Sequence, residues 1–194
     1  MGARVVVLNG ASSAGKTTLA NSFRRARAAA GEFWFVIGID DFLAKLPAEW
    51  TTVGSTRGRR ADEGIRFEAV PDGLRVTVGS VGRDLIRAYQ ATVRAVALAG
   101  LNVMVDEVVI DRLSWDDWTI ALAGLDAVWV GVRCSADVAE ERSKLRDDRF
   151  AGLARVQTIT AHEHARYAFE IDTTTRSPDE ALRVLTRGLG YGVT

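Results

Sequence analysis

The stretch Gly10-Ala11-Ser12-Ser13-Ala14-Gly15-Lys16-Thr17 meets the pattern G-x-x-x-x-G-K-[ST] at every constrained position. Each constrained residue type has a physical reason. Glycine lets the backbone wrap tightly, so that successive N–H groups turn inward and form a concave anion site. A lysine at position 16 reaches the β- and γ-phosphates of a nucleotide, and a hydroxyl at 17 can ligate Mg²⁺. A helix beginning there adds the positive end of its dipole. Gly10, Ser12, Ser13, Ala14, Gly15, Lys16, Thr17 and Thr18 are therefore the expected phosphate-binding residues. The flanks agree with this reading. Arg4-Val5-Val6-Val7-Leu8-Asn9 is a short apolar, β-branched run, as a buried strand requires. After the motif, Leu19, Phe23, Ala26 and Ala30 recur at helical spacing, and Gly31 can end that helix.

Outward from the motif, strand-like and helix-like segments alternate. Phe33–Ile39 is a second apolar run and delivers Asp40-Asp41, after which Phe42, Leu43 and Leu46 suggest a short helix ended near Pro47. From Ala48 to Gly64 the chain is polar and carries Trp50, Arg57, Arg59 and Arg60, which reads as a long loop. Ile65 to Val78 alternates around Pro71-Asp72-Gly73, the pattern of a hairpin. Leu85, Tyr89, Val93 and Val96 mark a long amphipathic helix closed by Gly100, and Val103-Met104-Val105 then leads to Asp106-Glu107. Ser114-Trp115-Asp116-Asp117 reads as a capping box, Ala127–Val132 as a strand, and Ser135 as the cap of a charged helix. A helix from Leu153 to Ala165, a strand at Ala168–Ile171 and a helix opened by Ser177-Pro178-Asp179-Glu180 complete the chain. Helices between strands imply crossover connections. The expected fold is a single α/β domain over residues 1–194, in three layers with a mostly parallel sheet. A substrate-side insertion or hairpin occupies 48–80 within it, and a lid region 135–152.

Composition narrows the function. The 194 residues carry 25 basic and 25 acidic side chains, so the net charge is zero and a nucleic-acid surface is not expected. One cysteine, Cys134, forms no internal disulfide and reads as a buried thiol, and two histidines with one cysteine do not make a zinc site. No apolar run is long enough for a membrane span, and the first strand follows so closely on Met1 that no leader is expected. These features describe a soluble, cytoplasmic protein. The oligomeric state is left open, with a homodimer as one option.

In open α/β sheets ligands sit beyond the carboxyl ends of the strands. Asp40 follows the second strand and is the candidate general base, since phosphoryl transfer to an alcohol needs a carboxylate to take the hydroxyl proton. It could equally cap the helix after it, a role that falls to Asp41 if Asp40 turns inward. Asp106 follows an apolar strand, as the second acidic motif of phosphate-loop proteins does, and with Thr17 is the candidate Mg²⁺ ligand. Arg142 and Arg146 lie four apart on one helix face and are candidate catalytic cations for the transferring phosphate, with Arg149 just beyond; the interleaved Glu140, Glu141, Asp147 and Asp148 also fit a solvated helix. Trp50, in a polar loop, is placed in a substrate pocket, whereas Trp34, Trp115, Trp118 and Trp129 belong to the core. His162 is chiefly a hydrogen-bonded structural residue, with substrate contact as its alternative.

Leu8–Lys16, Gly38-Ile39-Asp40, Val105–Val108, Val128–Cys134, His162-Glu163 and Ile171–Thr174 together resemble the chloramphenicol 3-O-phosphotransferase family over almost the whole chain. The resemblance implies a P-loop nucleotide-kinase-like fold with a five-stranded parallel core. It also implies transfer of the γ-phosphate of ATP or GTP, with Mg²⁺, to a hydroxyl of an antibiotic. On it, Lys16 and Thr17 match the phosphate and Mg²⁺ ligands, Asp40 the base, and Arg142, Arg146 and Arg149 the lid. Asp41 departs from the small hydroxyl residue expected at its position, and the 48–62 stretch is longer and richer in arginine. Both changes fall where the acceptor sits. The acceptor is then chloramphenicol-like or a larger nucleoside antibiotic such as capuramycin, with Asp41, Trp50, Arg57, Glu107 and His162 as the expected substrate contacts. A metabolic kinase acting on another small molecule or nucleotide is the alternative, and a nucleotide-dependent regulatory switch is a third reading.

Overall fold

The structure is a computed structural model that describes residues 2–53, 56–145, 150 and 152–192. Five strands form one sheet: β1 (Arg4–Asn9), β2 (Trp34–Gly38), β7 (Asn102–Glu107), β8 (Asp126–Arg133) and β9 (Phe169–Asp172), in the spatial order β2-β7-β1-β8-β9. Every neighbouring pair is parallel. Parallel strands need crossovers, and helices supply them on both faces. Because both faces are covered, the strands read as continuous apolar runs rather than alternating ones. Along β1, Val6 and Leu8 enter one core with Phe23 of α1 (Lys16–Ala29) and Leu185 of α7 (Pro178–Gly188). Val5 and Val7 enter the other with Tyr89 and Val93 of α3 (Ser80–Leu98) and Trp118 of α4 (Arg112–Ala121). Trp34 and Trp118 are fully buried, and Trp115 packs on Trp129 with ring centroids 4.7 Å apart.

The strands end where their caps and turns dictate. Gly31, Gly100 and Gly124 all have positive φ, the conformation glycine adopts without a Cβ penalty at the end of a helix. Ser177 caps α7 and receives the returning carboxylate of Glu180, and Ser135 caps α5 (Ala136–Lys144). Two helix boundaries differ from expectation. The fourth helix starts at Arg112 because Asp111, not Ser114, is its cap: Asp111 accepts the Ser114 N–H at 2.7 Å and is gripped by Arg83. The helix α6 (Leu153–Thr160) stops five residues short of Ala165, since Ala161 and His162 turn inward to bond elsewhere.

The stretch after the short helix α2 (Ile39–Leu43) is more ordered than a polar loop suggests. It holds a 3₁₀ turn at Ala48–Trp50 and a two-residue ribbon, β3 (Thr52–Val53) with β4 (Thr56–Arg57). The hairpin β5 (Ile65–Val70) and β6 (Gly73–Val78) follows, as the sequence pattern predicts. Its turn docks on the start of α6: Leu74 N–H donates to Gly152 O at 3.3 Å, and the Phe67 ring lies 4.0 Å from that of Phe150. Among the described residues no helix is long and apolar enough to cross a membrane.

Candidate active site

The carboxyl ends of β1, β7 and β2 lie side by side. Asn9 is paired with Glu107 and Gly38 with Asp106, so the phosphate loop, the Asp106-Glu107 pair and the start of α2 meet at one edge of the sheet. They open onto a single cleft of about 1350 Å³. Ser12, Ser13, Gly15, Lys16, Thr17, Thr18, Asp40, Asp41, Asp106, Glu107 and Arg142 all line it. Gly10 and Ala14 support the loop from behind. A Cβ on Gly10 would stand 2.1 Å from Val132 O, so only glycine allows this close approach to β8.

Strain marks the loop. Ser13 is the non-glycine residue with positive φ among those described, at 62°, and Gly15 has φ 93° as the N-cap of α1. The loop's shape is held by distant side chains. Ser12 N–H donates to Gln157 Oε1 at 2.8 Å, and Thr173 Oγ1 donates to Ala14 O at 2.7 Å. Asn9 donates to Ala161 O and to the Tyr167 hydroxyl, both at 2.7 Å, and accepts from Val109 N–H. The Ser12 and Ser13 hydroxyls are buried without a hydrogen-bond partner, as expected of groups placed to meet an anion.

Lys16 is buried, donates to Ala11 O at 2.8 Å and lies 3.6 Å from Asp106 Oδ1. Thr17 Oγ1 donates to Asp106 Oδ2 at 2.5 Å. A hydroxyl and a carboxylate oxygen brought together beside a phosphate loop form the oxygen set that Mg²⁺ prefers. No cluster of three or more His, Cys, Asp or Glu among the described residues could hold a metal alone. The donor set thus fits a cation shared with nucleotide phosphates.

Side chains on neighbouring strand positions point to opposite faces, and Asp106 and Glu107 show the consequence. Asp106 is in register with Leu8 and reaches the loop. Glu107 enters the other face, where Oε2 accepts Trp118 Nε1–H and Oε1 accepts Val108 N–H, both at 2.7 Å. Burial at 3% exposure pushes its pKa up to about 7 against the pull of those two donors.

Asp41, the third residue of α2, returns its carboxylate to the N-cap, Oδ2 accepting Gly38 N–H at 2.8 Å. Asp40, one position earlier in the same turn, is exposed to the cleft. Arg142 is half-buried, donates to Thr173 O at 2.9 Å and rests against Cys134, whose thiol pKa is raised by burial. Arg146 and Arg149 lie outside the described residues.

Three sequence-selected residues are not brought to the cleft. Trp50 is covered by the Arg60 guanidinium, 4.0 Å from its ring centroid. Arg57 pairs with Asp62 on the exposed side of the insertion. His162 Nδ1 lies 2.6 Å from the Tyr167 hydroxyl. That hydroxyl already accepts from Asn9, so its proton goes to His162, and burial lowers the histidine pKa to about 4. The neutral ring is a structural prop behind β1. Gln157 and Thr173, which shape the loop, carried no local signal.

A family model for chloramphenicol phosphotransferase-like proteins matches residues 3–189. The chain belongs to that family. A Mycobacterium tuberculosis (strain H37Rv) protein named "Putative O-phosphotransferase Rv2636" is 35% identical over 185 residues, covering 94% of this chain and 80% of its own. Like other members of the chloramphenicol phosphotransferase-like family, the chain is a small-molecule kinase with an alcohol group as acceptor. Solved kinases share the fold. The M. tuberculosis APS kinase CysC, in complex with AMPPNP and APS, superposes with a TM-score of 0.66 at 17% identity, covering 96% of this chain and 97% of that one. A gluconokinase from Sinorhizobium meliloti gives 0.59 at 19%, covering 96% and 91%.

Proposed function

We propose that this protein transfers the γ-phosphate of ATP or GTP to a hydroxyl of an antibiotic-like small molecule and thereby inactivates it. One observation carries the reading: the phosphate loop and the Asp40 carboxylate line the same cleft, whose volume exceeds the roughly 300–1,000 Å³ of a pocket for one ligand. A donor and an acceptor both fit. The loop amides of Gly15–Thr18, the unpartnered serine hydroxyls and Lys16 hold the donor's phosphates. Arg142 lies on the donor side, where it is placed to meet charge that develops on the transferring group. Thr17 and Asp106 are the residues that would hold Mg²⁺, which neutralises charge on the β- and γ-phosphates when bound.

Asp40 takes the proton of the attacking hydroxyl. Its neighbour Asp41 returns to the Gly38 N–H at the start of α2, whereas Asp40 lines the cleft beside the phosphate loop. Phosphoryl transfer depends mainly on positioning and charge stabilisation, and a placed base adds about 10²–10⁴-fold. Asp41 and Glu107 border the acceptor; Trp50, Arg57 and His162 stand outside it. The family description favours an antibiotic as acceptor, and a cytoplasmic self-resistance role follows from that chemistry. The protein incubated with Mg²⁺, each nucleotide, and a panel of chloramphenicol-like and nucleoside antibiotics tests it by mass spectrometry. The expected product is an acceptor carrying one added phosphoryl group. Free phosphate alone, in the presence of every acceptor, would point to a nucleotide-hydrolysing switch.

A further inference from the structure

We infer that Gln157 is a catalytic residue for phosphoryl transfer, its side-chain amide donating to the terminal phosphate of the bound nucleoside triphosphate. The inference rests on the phosphotransferase reading of the same cleft and names a residue of that reaction which lies outside the phosphate-loop motif.

The inward face of α6 is formed by Leu153, Ala154 and Gln157, and Ala161 continues it; all four are buried. Gln157 is the polar member of this stripe and is 7% exposed. Its Oε1 accepts the Ser12 N–H at 2.8 Å. Holding one N–H needs only an acceptor, yet this side chain also carries two amide protons. Nε2 donates to none of the described residues, and the side chain lines the cleft. A buried donor without an acceptor is costly, and a ligand in the cleft can supply the acceptor. The loop segment that Gln157 holds has the same character: the Ser12 and Ser13 hydroxyls are buried without a partner. Three polar groups from two elements, 145 residues apart in the chain, therefore meet at one place with hydrogen bonds to give.

Lys16 identifies the part of the donor that these groups meet. Its Nζ donates at 2.8 Å to the carbonyl of Ala11, the residue before Ser12. A phosphate-loop lysine reaches the β- and γ-phosphates, so the 11–13 side of the loop borders the outer end of the phosphate chain. The amides that open α1 take the inner phosphates. Gln157 and the two serines are left for the group that transfers. In that transfer the bond from the γ-phosphorus to the β–γ bridging oxygen breaks, a bond to the acceptor oxygen forms, and the acceptor's proton passes to Asp40. Gln157 gains and loses no proton. Its N–H groups offset the negative charge spread over the equatorial oxygens, and the anchor on Ser12 orients them before the nucleotide arrives.

The chain has two glutamines, Gln90 and Gln157, so isotope-labelled glutamine lets NMR follow both side-chain amides in the natural protein. Mg²⁺ is added with either the nucleoside diphosphate or the non-transferable β,γ-imido triphosphate, in the adenine and guanine series. The Gln157 amide protons should shift with the triphosphate and not with the diphosphate, with Gln90 as the internal control. Gln157→Glu keeps an acceptor for Ser12 and replaces the donor by an anion. It should bind diphosphate within about threefold of the natural chain, lose at least about tenfold in triphosphate affinity and transfer about 10²–10³-fold more slowly at saturation. A residue that only supports the loop would leave Gln157→Glu unimpaired, and Gln157→Met would then weaken diphosphate and triphosphate alike. Gln157 signals that respond equally to both nucleotides, or equal loss of both affinities in the variants, would overturn the inference and leave the phosphotransferase reading standing. The NMR comparison needs no substitution and decides the matter if a variant folds poorly. Binding of neither nucleotide by the natural chain overturns the phosphotransferase reading itself.

Discussion

Asp106 and Glu107 are chemically near-identical neighbours, and strand alternation alone separates their roles. One faces the loop, bonded to Thr17 and near Lys16; the other is buried on the opposite face, bonded to Trp118. The buried position leaves a thermodynamic signature. The Glu107 pKa rises from 4.5 to about 7 on folding, so the folded state holds its proton over that window while the unfolded chain has released it. The stabilisation associated with this proton is complete below about pH 4.5 and is lost as pH climbs through about 7. Relative to Glu107→Gln, which does not titrate, the natural chain should therefore lose about 3 kcal/mol between pH 4.5 and pH 8. Urea denaturation of both proteins across that range measures it, and parallel pH curves would show that Glu107 ionises freely. His162 titrates in the opposite sense, but with a pKa near 4 it remains neutral throughout physiological pH. Residue identity alone did not disclose these states. Trp50, Arg57 and His162 have chemistry suited to ligands, but each found a partner nearby: Arg60, Asp62 and Tyr167.

At the scale of elements, α6 ties the two halves of the cleft together. Gln157 holds the Ser12 amide of the phosphate loop, while Gly152 at the same helix's N-cap receives the hairpin through Leu74. Gly152 and Gly73 meet backbone to backbone. A Cβ on Gly152 would stand 2.8 Å from Gly73 Cα, and φ is +82° there. Gly152→Ala should cost about 1–3 kcal/mol through strain at that φ alone. It should also shift the hairpin, whose Phe67 and Val76 line the cleft, raising the acceptor KM severalfold while nucleotide affinity changes little. Kinetics beside nucleotide titration check this, and an unchanged acceptor KM would show that the hairpin does not shape the acceptor site. Elements with local signals were legible in the sequence: the Ser177 capping box, the Pro71-Asp72-Gly73 turn and the apolar strands. The fourth helix was misread because its cap is chosen by tertiary contact: Arg83, from α3, grips Asp111. The end of α6 was set likewise by the Asn9 side chain across the sheet.

For the whole molecule, the parallel sheet does the assembling. Its order puts β1, β7 and β2 side by side, so three segments far apart in sequence present a phosphate loop, a candidate metal-binding carboxylate and a candidate base at one edge. That convergence could be anticipated, since alternating strand and helix patterns force parallel topology and ligands collect at the carboxyl ends. The long-range supports could not. Gln157 and Thr173 reach the loop from 145 and 159 residues away, and nothing in their neighbourhoods announces it.

The most direct test of the central assignment is Asp40→Asn, measured twice on the same preparation: nucleotide binding by titration calorimetry with Mg²⁺, and phosphoryl transfer under single-turnover conditions. An acid that primes the incoming hydroxyl predicts nucleotide affinity within about twofold of the natural chain and transfer slowed by about 10²–10⁴-fold. Transfer at the natural rate would contradict it and place the base elsewhere in the cleft.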